Sequence, residues 1–324
     1  MNASFFCGFG NYIYEFIQEK HALGYPYVVS EQTLRSFDKF CLENFPNADT
    51  LSEEICNAWA VIRPTEKSVS FQNRLGTIRE LARYMNRVGK AAYIIPPELA
   101  PKQDPPYRPH IFTQDELSGF FIKADSYPVL PRARIRHLQI PVYFRILYCC
   151  GLRPQEARLI KLENLDLNKR TLTIPESKGH RDRMIVIPSD LADIIGKYYP
   201  FLKSEFPDNE YLFPCQRYGG IPYRASWVRK IFRECWNNCH FDIVTGNDPR
   251  PYDFRHTFAT YRIYEWMKQG ADLRKMLPYL SAYMGHAHIS HTAYYIHLVP
   301  EFFSEMSGMD KNRYSSLIPE VLYE

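Results

Sequence analysis

Apolar residues recur at helical spacing through the first ninety or so positions of the chain. Phe16, Ile17 and Leu23 follow one periodic stretch, and Leu34, Phe37, Phe40 and Cys41 follow a second. Leu51 to Val61 is a shorter third candidate. Phe71 to Val88 is the fourth, with Leu75, Ile78, Leu81, Ala82 and Met85 on one face. No strand alternation interrupts this region, so a small all-helical domain is expected over residues 1–95. The run IIPPELAPKQDPPYRP follows, and its prolines sustain neither a helix nor a central strand. Residues 96–110 therefore read as a stiff linker. Thr113-Gln-Asp-Glu116 is a capping box that opens the first helix of a second domain, residues 111–324.

The second domain mixes periods. Thr171 to Ile174 and Met184 to Ile187 flank a polar turn holding Gly179 and Asp182, the pattern of a β-hairpin. Helical patterns surround it at Val142 to Cys150, Pro154 to Lys161, Ala225 to Cys239 and Arg255 to Gln269. In the last of these, Ala259, Ile263, Trp266 and Met267 form one apolar stripe. The expected class is mainly α with a small antiparallel β-sheet, the C-terminal domain being α+β.

Composition changes this picture little. The 324 residues are long enough for two full cores, and 45% are hydrophobic. A net charge of +4 does not announce a nucleic-acid binder. Eight cysteines lack the density of a disulfide framework and suit a reducing compartment. MNASFFCGFGNY lacks the basic and apolar regions of a signal peptide, and no run of 18 apolar residues offers a membrane span. A cytoplasmic protein is expected.

The candidate chemistry lies in five separated segments. Arg153 stands between Gly151, suited to a helix C-cap, and Pro154, suited to the first turn of the next helix. Its guanidinium could grip two phosphate oxygens, or simply pair with Glu156 to brace the turn. Lys178 sits at the hairpin tip in a basic run with Arg181 and Arg183, which alone would be a solvated turn. Arg255 opens an amphipathic helix whose N-terminus already favours anions, and Tyr252 lies three residues before it. His256 is expected to make a structural hydrogen bond in the core. His286, His288 and His291 lack interleaved carboxylates and HExxH spacing, so no metal site is expected. Tyr295 follows Tyr294, and with 24 tyrosines in the chain composition cannot single it out.

Taken in order, these segments resemble the tyrosine recombinases of the phage-integrase superfamily. GLRPQEA is similar to the family's first arginine box, with Glu156 as the acidic partner, and SKGHRDRMIVIP is similar to its hairpin lysine box. DFRHTFAT and MGHAHISHTAYYIH are similar to the second arginine, histidine and tyrosine boxes. The likeness covers roughly residues 145–300, and the helical N-terminal part fits the family's core-binding domain more loosely. Two departures stand out. Tyr252 occupies a place usually held by histidine, and a phenol with a reference pKa of about 10 is a poor base near neutrality. The spacing from Arg255 to Tyr295 is also longer, by two insertions of about one helical turn each in YRIYEWMKQG and KMLPYLSAY. Whole turns preserve the helix face.

The resemblance implies site-specific DNA recombination without cofactor or metal. Tyr295 would attack a scissile phosphate and form a 3′-phosphotyrosyl link. Arg153, Arg255 and His286, with Tyr252 as a further donor, would stabilise the added charge, and Lys178 would protonate the leaving 5′ oxygen. It also implies double-stranded DNA as partner, a homotetramer on paired sites from a chain that is monomeric when free, and nucleoid association when bound. The insertions point to a mobile-element integrase or transposase. Two alternatives are a type IB topoisomerase and a catalytically weakened DNA-binding protein of the same fold. The first 106 residues carry 11 Lys and Arg against 12 Asp and Glu, so the helical domain is not basic overall. Its cations gather on one helix, as Arg74, Arg79, Arg83, Arg87 and Lys90, where they could track DNA phosphates or form an ordinary solvated face.

Overall fold

The computed structural model describes residues 5–99, 107–177, 181–239, 241 and 248–303. The chain divides into two compact units, Met1–Tyr107 and Arg108–Glu324. The division falls at the end of the proline-rich run.

Among its described residues the first unit holds four α-helices: α1 (Gly10–Ala22), α2 (Val28–Asn44), α3 (Glu53–Trp59) and α4 (Ser68–Arg87). Phe16 and Ile17 from α1, Leu34, Phe37 and Cys41 from α2, and Phe71, Leu75, Ile78 and Leu81 from α4 share one core. Leu23 does not join them. It caps α1 and is exposed, because the helix ends one residue earlier. The side chain of Ser52 caps α3 by accepting from the Ile55 amide. Buried Asp38 accepts the amides of Phe6 (2.9 Å) and Cys7 (2.8 Å), which ties the N-terminal segment onto α2.

The cations of α4 do not form one stripe. Arg74 faces inward, where its guanidinium pairs with Glu66 (2.6 Å) and donates to the carbonyls of Trp59 and Val61. Those hydrogen bonds, outweighing burial, hold the Glu66 carboxyl below the usual range. Arg74 is therefore a core ion pair rather than part of a DNA-facing row, since leaving Glu66 buried and unpaired would be costly. Arg79 donates to the carbonyls of Ile95 and Pro96, at 2.8 and 3.3 Å. Arg83 is exposed, Arg87 is exposed and pairs with Glu19, and Lys90 lies 3.7 Å from Asp49.

The second unit begins with α5 (Gln114–Asp125), opened by the reciprocal hydrogen bonds of Thr113 and Glu116. There follow α6 (Arg136–Cys150), α7 (Pro154–Arg158), β1 (Leu165–Asp166), β2 (Thr171–Ser177) and β3 (Arg181–Val186). Then come α8 (Ser189–Glu205), α9 (Ala225–Asn237), α10 (Asp253–Lys268), α11 (Leu273–Met284) and α12 (Ser290–Phe302). The strands form one antiparallel sheet in the order β1-β2-β3, with Leu172 opposite Ile185 and Ile174 opposite Arg183. Lys178, at the hairpin tip, lies outside the described residues.

Two apolar clusters organise this unit. In the larger, Phe120, Phe144, Phe232 and Phe254 meet through edge and tilted ring contacts. In the smaller, Ile263 of α10, Leu277, Leu280 and Met284 of α11, and Tyr295, Ile296 and Val299 of α12 pack together. The second cluster holds the helices carrying Arg255 and Tyr295 against each other. Among the described residues, no helix is long and apolar enough to cross a membrane.

Candidate active site

Two helix C-termini frame the site. α6 ends at Gly151 (φ 58°) and α11 ends at Gly285 (φ 64°), both left-handed caps that favour glycine. Space enforces the same choice: a Cβ on Gly151 would lie 2.4 Å from Phe258, and one on Gly285 would lie 2.9 Å from Arg183 Nη1. Such caps expose carbonyls with no intrahelical partner, at the negative end of the helix dipole. Arginines occupy them. Arg255 Nη1 donates to the Gly151 carbonyl (2.7 Å) and Nη2 to that of Met284 (2.6 Å). Arg153 Nη2 donates to the adjacent Gly285 carbonyl (2.9 Å).

Arg255 is fully buried, and its Nε has no hydrogen-bond partner among the described residues. Burial, and then the positive charge of Arg153, lower its pKa from the ordinary arginine value. A buried cation held on carbonyl dipoles rather than on a carboxylate keeps its charge available to an anion. Arg153 differs. Its backbone amide and Nη1 both donate to Glu156, at 2.9 and 2.6 Å, so the bracing pair expected at this turn is present. Glu156 has a second cation, Arg183 of β3, whose Nη1 and Nη2 reach its two oxygens at 3.0 and 2.7 Å. Burial raises the Glu156 pKa, but the hydrogen bonds and charges of Arg183 and Arg153 outweigh it and hold the carboxyl below the usual range.

Tyr295 is 3% exposed, whereas its neighbour Tyr294 is 38% exposed. Helical geometry turns one ring inward and the other out, a distinction that composition could not make. The Tyr295 ring lies parallel to that of His286, with centroids 6.2 Å apart, and 5.7 Å from that of His256. His256 in turn stands 5.1 Å from Tyr252. Burial pushes the Tyr295 pKa well above the ordinary phenol value, and Arg255 and Arg153 offset that rise only in part, so both cations act on the phenol. The four residues converge on one locus from α7's N-terminus, α10, the turn after α11, and α12.

His286 Nδ1 shares a hydrogen bond of 2.8 Å with the hydroxyl of Thr292, a buried residue one turn before Tyr295. This leaves Nε2 as the nitrogen available to a substrate. Burial, Arg255 and Arg153 bring the His286 pKa down to about 3. His256 is lowered to about 3 as well, by burial, Arg250 and Arg255. The core hydrogen bond expected of His256 is not made at Nδ1, which is buried without a partner among the described residues. Its ring is packed between two phenols instead.

Both imidazoles are thus neutral when folded, while in the unfolded chain they titrate near 6.5. Between pH 6.5 and 3 the unfolded state binds more protons, so their contribution to stability is present above pH 6.5 and is lost on acidification. The DNA-free protein should lose several degrees of thermal stability from pH 7 to 5, measured by circular dichroism. Replacing His256 with Gln should flatten that slope.

A cleft of about 650 Å³ opens beside this locus, lined by Tyr252, His256, Arg153, Arg158, Arg229 and Arg233, among others. Arg229 and Arg233 are exposed and four apart on α9, opposite the buried stripe of Val228, Ile231, Phe232 and Cys235. Sequence reasoning passed over this pair, although the alternation of cations and apolar residues in VRKIFRE marks it. It also passed over Arg183 and Thr292.

Residues 113–301 match the profile of the phage integrase family. The integrase/recombinase y4rB of Sinorhizobium fredii is 27% identical over 299 residues, covering 90% of this chain and 94% of that protein. Tyrosine recombinase XerC of Staphylococcus carnosus is 30% identical over 199 residues, 59% of this chain and 58% of its own. Among solved structures, the XerH site-specific recombinase in a post-cleavage complex superposes with a TM-score of 0.63 at 17% identity, over 86% of this chain and 78% of that one. The family match spans more than half the chain and includes every segment that builds the arginine-framed phenol, so the chain belongs to the phage integrase family and is a tyrosine recombinase.

Proposed function

We propose that this recombinase, an enzyme of site-specific DNA recombination, cuts and rejoins strands through Tyr295. The observation that carries the reading is the buried phenol lying against His286 within the fields of Arg153 and Arg255. The phenolic oxygen attacks the scissile phosphorus and gives its proton to water in the cleft, the P–O5′ bond breaks, and the 5′ oxygen leaves. A 3′-phosphotyrosyl link keeps the ester energy, so a hydroxyl from a second strand reverses the step onto a new partner. Arg153 and Arg255 neutralise the nonbridging oxygens, and the unengaged Nε of Arg255 is a donor of the kind that step requires. His286 is neutral and donates through Nε2 when its Nδ1 accepts a hydrogen bond from the Thr292 hydroxyl. Tyr252 adds a hydroxyl donor, and Lys178 protonates the leaving oxygen.

Double-stranded DNA is the partner. The helical unit serves as the other half of a clamp, with Arg79, Arg83, Arg87 and Lys90 near phosphates; Arg83 and Arg87 are the exposed members. The active assembly is a homotetramer on paired sites, formed from free monomers in the cytoplasm and nucleoid-associated on DNA. A mobile-element role, integration or transposition, is supported by the near full-length likeness to an integrase/recombinase. Sequencing the DNA ends covalently attached to the protein in cells tests this. Ends that map to two paired, recurrent sites, with strand exchange between duplexes carrying them, support it. Scattered ends and relaxation without exchange would instead favour a topoisomerase.

A further inference from the structure

We propose that Arg183 is a positioning residue that keeps the charge of Arg153 directed at the scissile phosphate. The inference rests on the reading of Arg153 given above and extends it.

Arg183 lies on β3 two residues before Ile185 and four before Ile187, both buried, so strand parity turns it inward. Its side chain is 8% exposed. Each oxygen of Glu156 receives one bond from Arg183 and one from Arg153. Oε1 takes Nη1 of each, at 3.0 and 2.6 Å. Oε2 takes Arg183 Nη2 at 2.7 Å and the Arg153 amide at 2.9 Å. Four donors fill the roughly four lone-pair sites of a carboxylate. Arg183 also donates from Nε to the Tyr283 carbonyl at 3.0 Å, two residues before the Gly285 carbonyl that holds Arg153. Arg183 therefore bonds one anchor of the Arg153 guanidinium directly and the backbone two residues before the other.

The charge balance gives this arrangement its purpose. Arg153 and Glu156 alone are a neutral pair whose field at a phosphate largely cancels. With Arg183 the cluster carries one net positive charge, and Arg183 fills the two acceptor sites of the carboxylate that Arg153 leaves open. Glu156 can then orient Arg153 without quenching it. A lysine would supply charge at one point but could not fork onto both oxygens and also reach Tyr283.

The test compares single-turnover cleavage of a nicked phosphodiester substrate with cleavage of the same substrate bearing a methylphosphonate at the scissile position. The methylphosphonate lacks the charge that Arg153 is proposed to meet. Arg183→Gln should cleave the phosphodiester about 100-fold more slowly than the wild type, with DNA affinity within about threefold. On the methylphosphonate that deficit should shrink to less than about tenfold, as it should for Arg153→Gln. Arg183→Lys, which retains charge if the Gln variant fails to fold, should be at least about tenfold slower on the phosphodiester and show the same recovery. Equal deficits on both substrates, or near wild-type rates for both variants, would overturn the proposal. If Arg153→Gln itself shows no recovery, the assignment of Arg153 to the phosphate fails, and that outcome is distinguishable from failure at Arg183 alone.

Discussion

Tyr295→Phe should fold, bind DNA with unchanged affinity and form no covalent DNA link. The substitution removes a single oxygen. Tyr295 is buried among Ile263, Leu280 and Val299 in the core shared by α10, α11 and α12, and phenylalanine fills the same space. Among the described residues its hydroxyl makes no hydrogen bond, so the stability change should stay within about 1 kcal/mol. The chemical effect is of another order. Removal of an essential nucleophile costs about 10⁴-fold or more, so a nicked substrate should leave no adduct. Tyr294→Phe is the matched control, because that ring is turned outward and should keep cleavage near the wild-type rate. Covalent complex persisting in Tyr295→Phe at the wild-type level would remove Tyr295 from the mechanism.

Replacing Arg255 should be the most damaging change among the cations, because it acts on the fold and the chemistry together. Its two Nη groups satisfy the carbonyls that end α6 and α11. In Arg255→Ala both lose their donor at a buried position, at about 1–3 kcal/mol each. The same change removes a charge from the phosphate locus, worth about 10²–10³ in rate for one preorganised donor. Arg255→Lys separates the two effects. Its ammonium retains one carbonyl and the charge, so thermal unfolding should move less than in Arg255→Ala. Cleavage should still fall by about 100-fold, since one point charge cannot span both carbonyls and present a third donor. Unfolding curves alongside single-turnover cleavage of the three proteins would check this. Wild-type cleavage by Arg255→Lys would contradict the role given to the fork.

Local features of the fold were legible in the sequence wherever periodicity was strong. The capping box at Thr113 opens α5, the hairpin pairs Leu172 with Ile185, and the stripe from Ala259 to Ile263 packs inward. The partners across the site were not legible. Arg255 and Gly151 are 104 residues apart, and nothing local says that a guanidinium closes a helix end. Besides Arg229 and Arg233, two misses had readable signals. Arg74 lies three residues after Phe71 and four before Ile78, which puts it on the buried face of α4, yet its partner Glu66 lies on a separate segment. Arg183 shares strand parity with Ile185 and Ile187, while Met184 and Val186 point to solvent. The unbroken apolar run Met184 to Ile187 hid that alternation, so the arginine passed for part of a solvated turn. His256 is a different case. A histidine beside a buried arginine looks like a core hydrogen-bonding residue, and only the packed rings show Nδ1 unpartnered between Tyr252 and Tyr295.

The most direct measurement is to trap the wild-type protein on a nicked duplex whose short cleaved fragment diffuses away, digest it, and locate the nucleotide-bearing peptide by mass spectrometry. The account expects a single adduct on Tyr295, joined through a 3′ phosphate. An adduct on Tyr252, Tyr294 or another side chain, or a 5′ linkage, would contradict it.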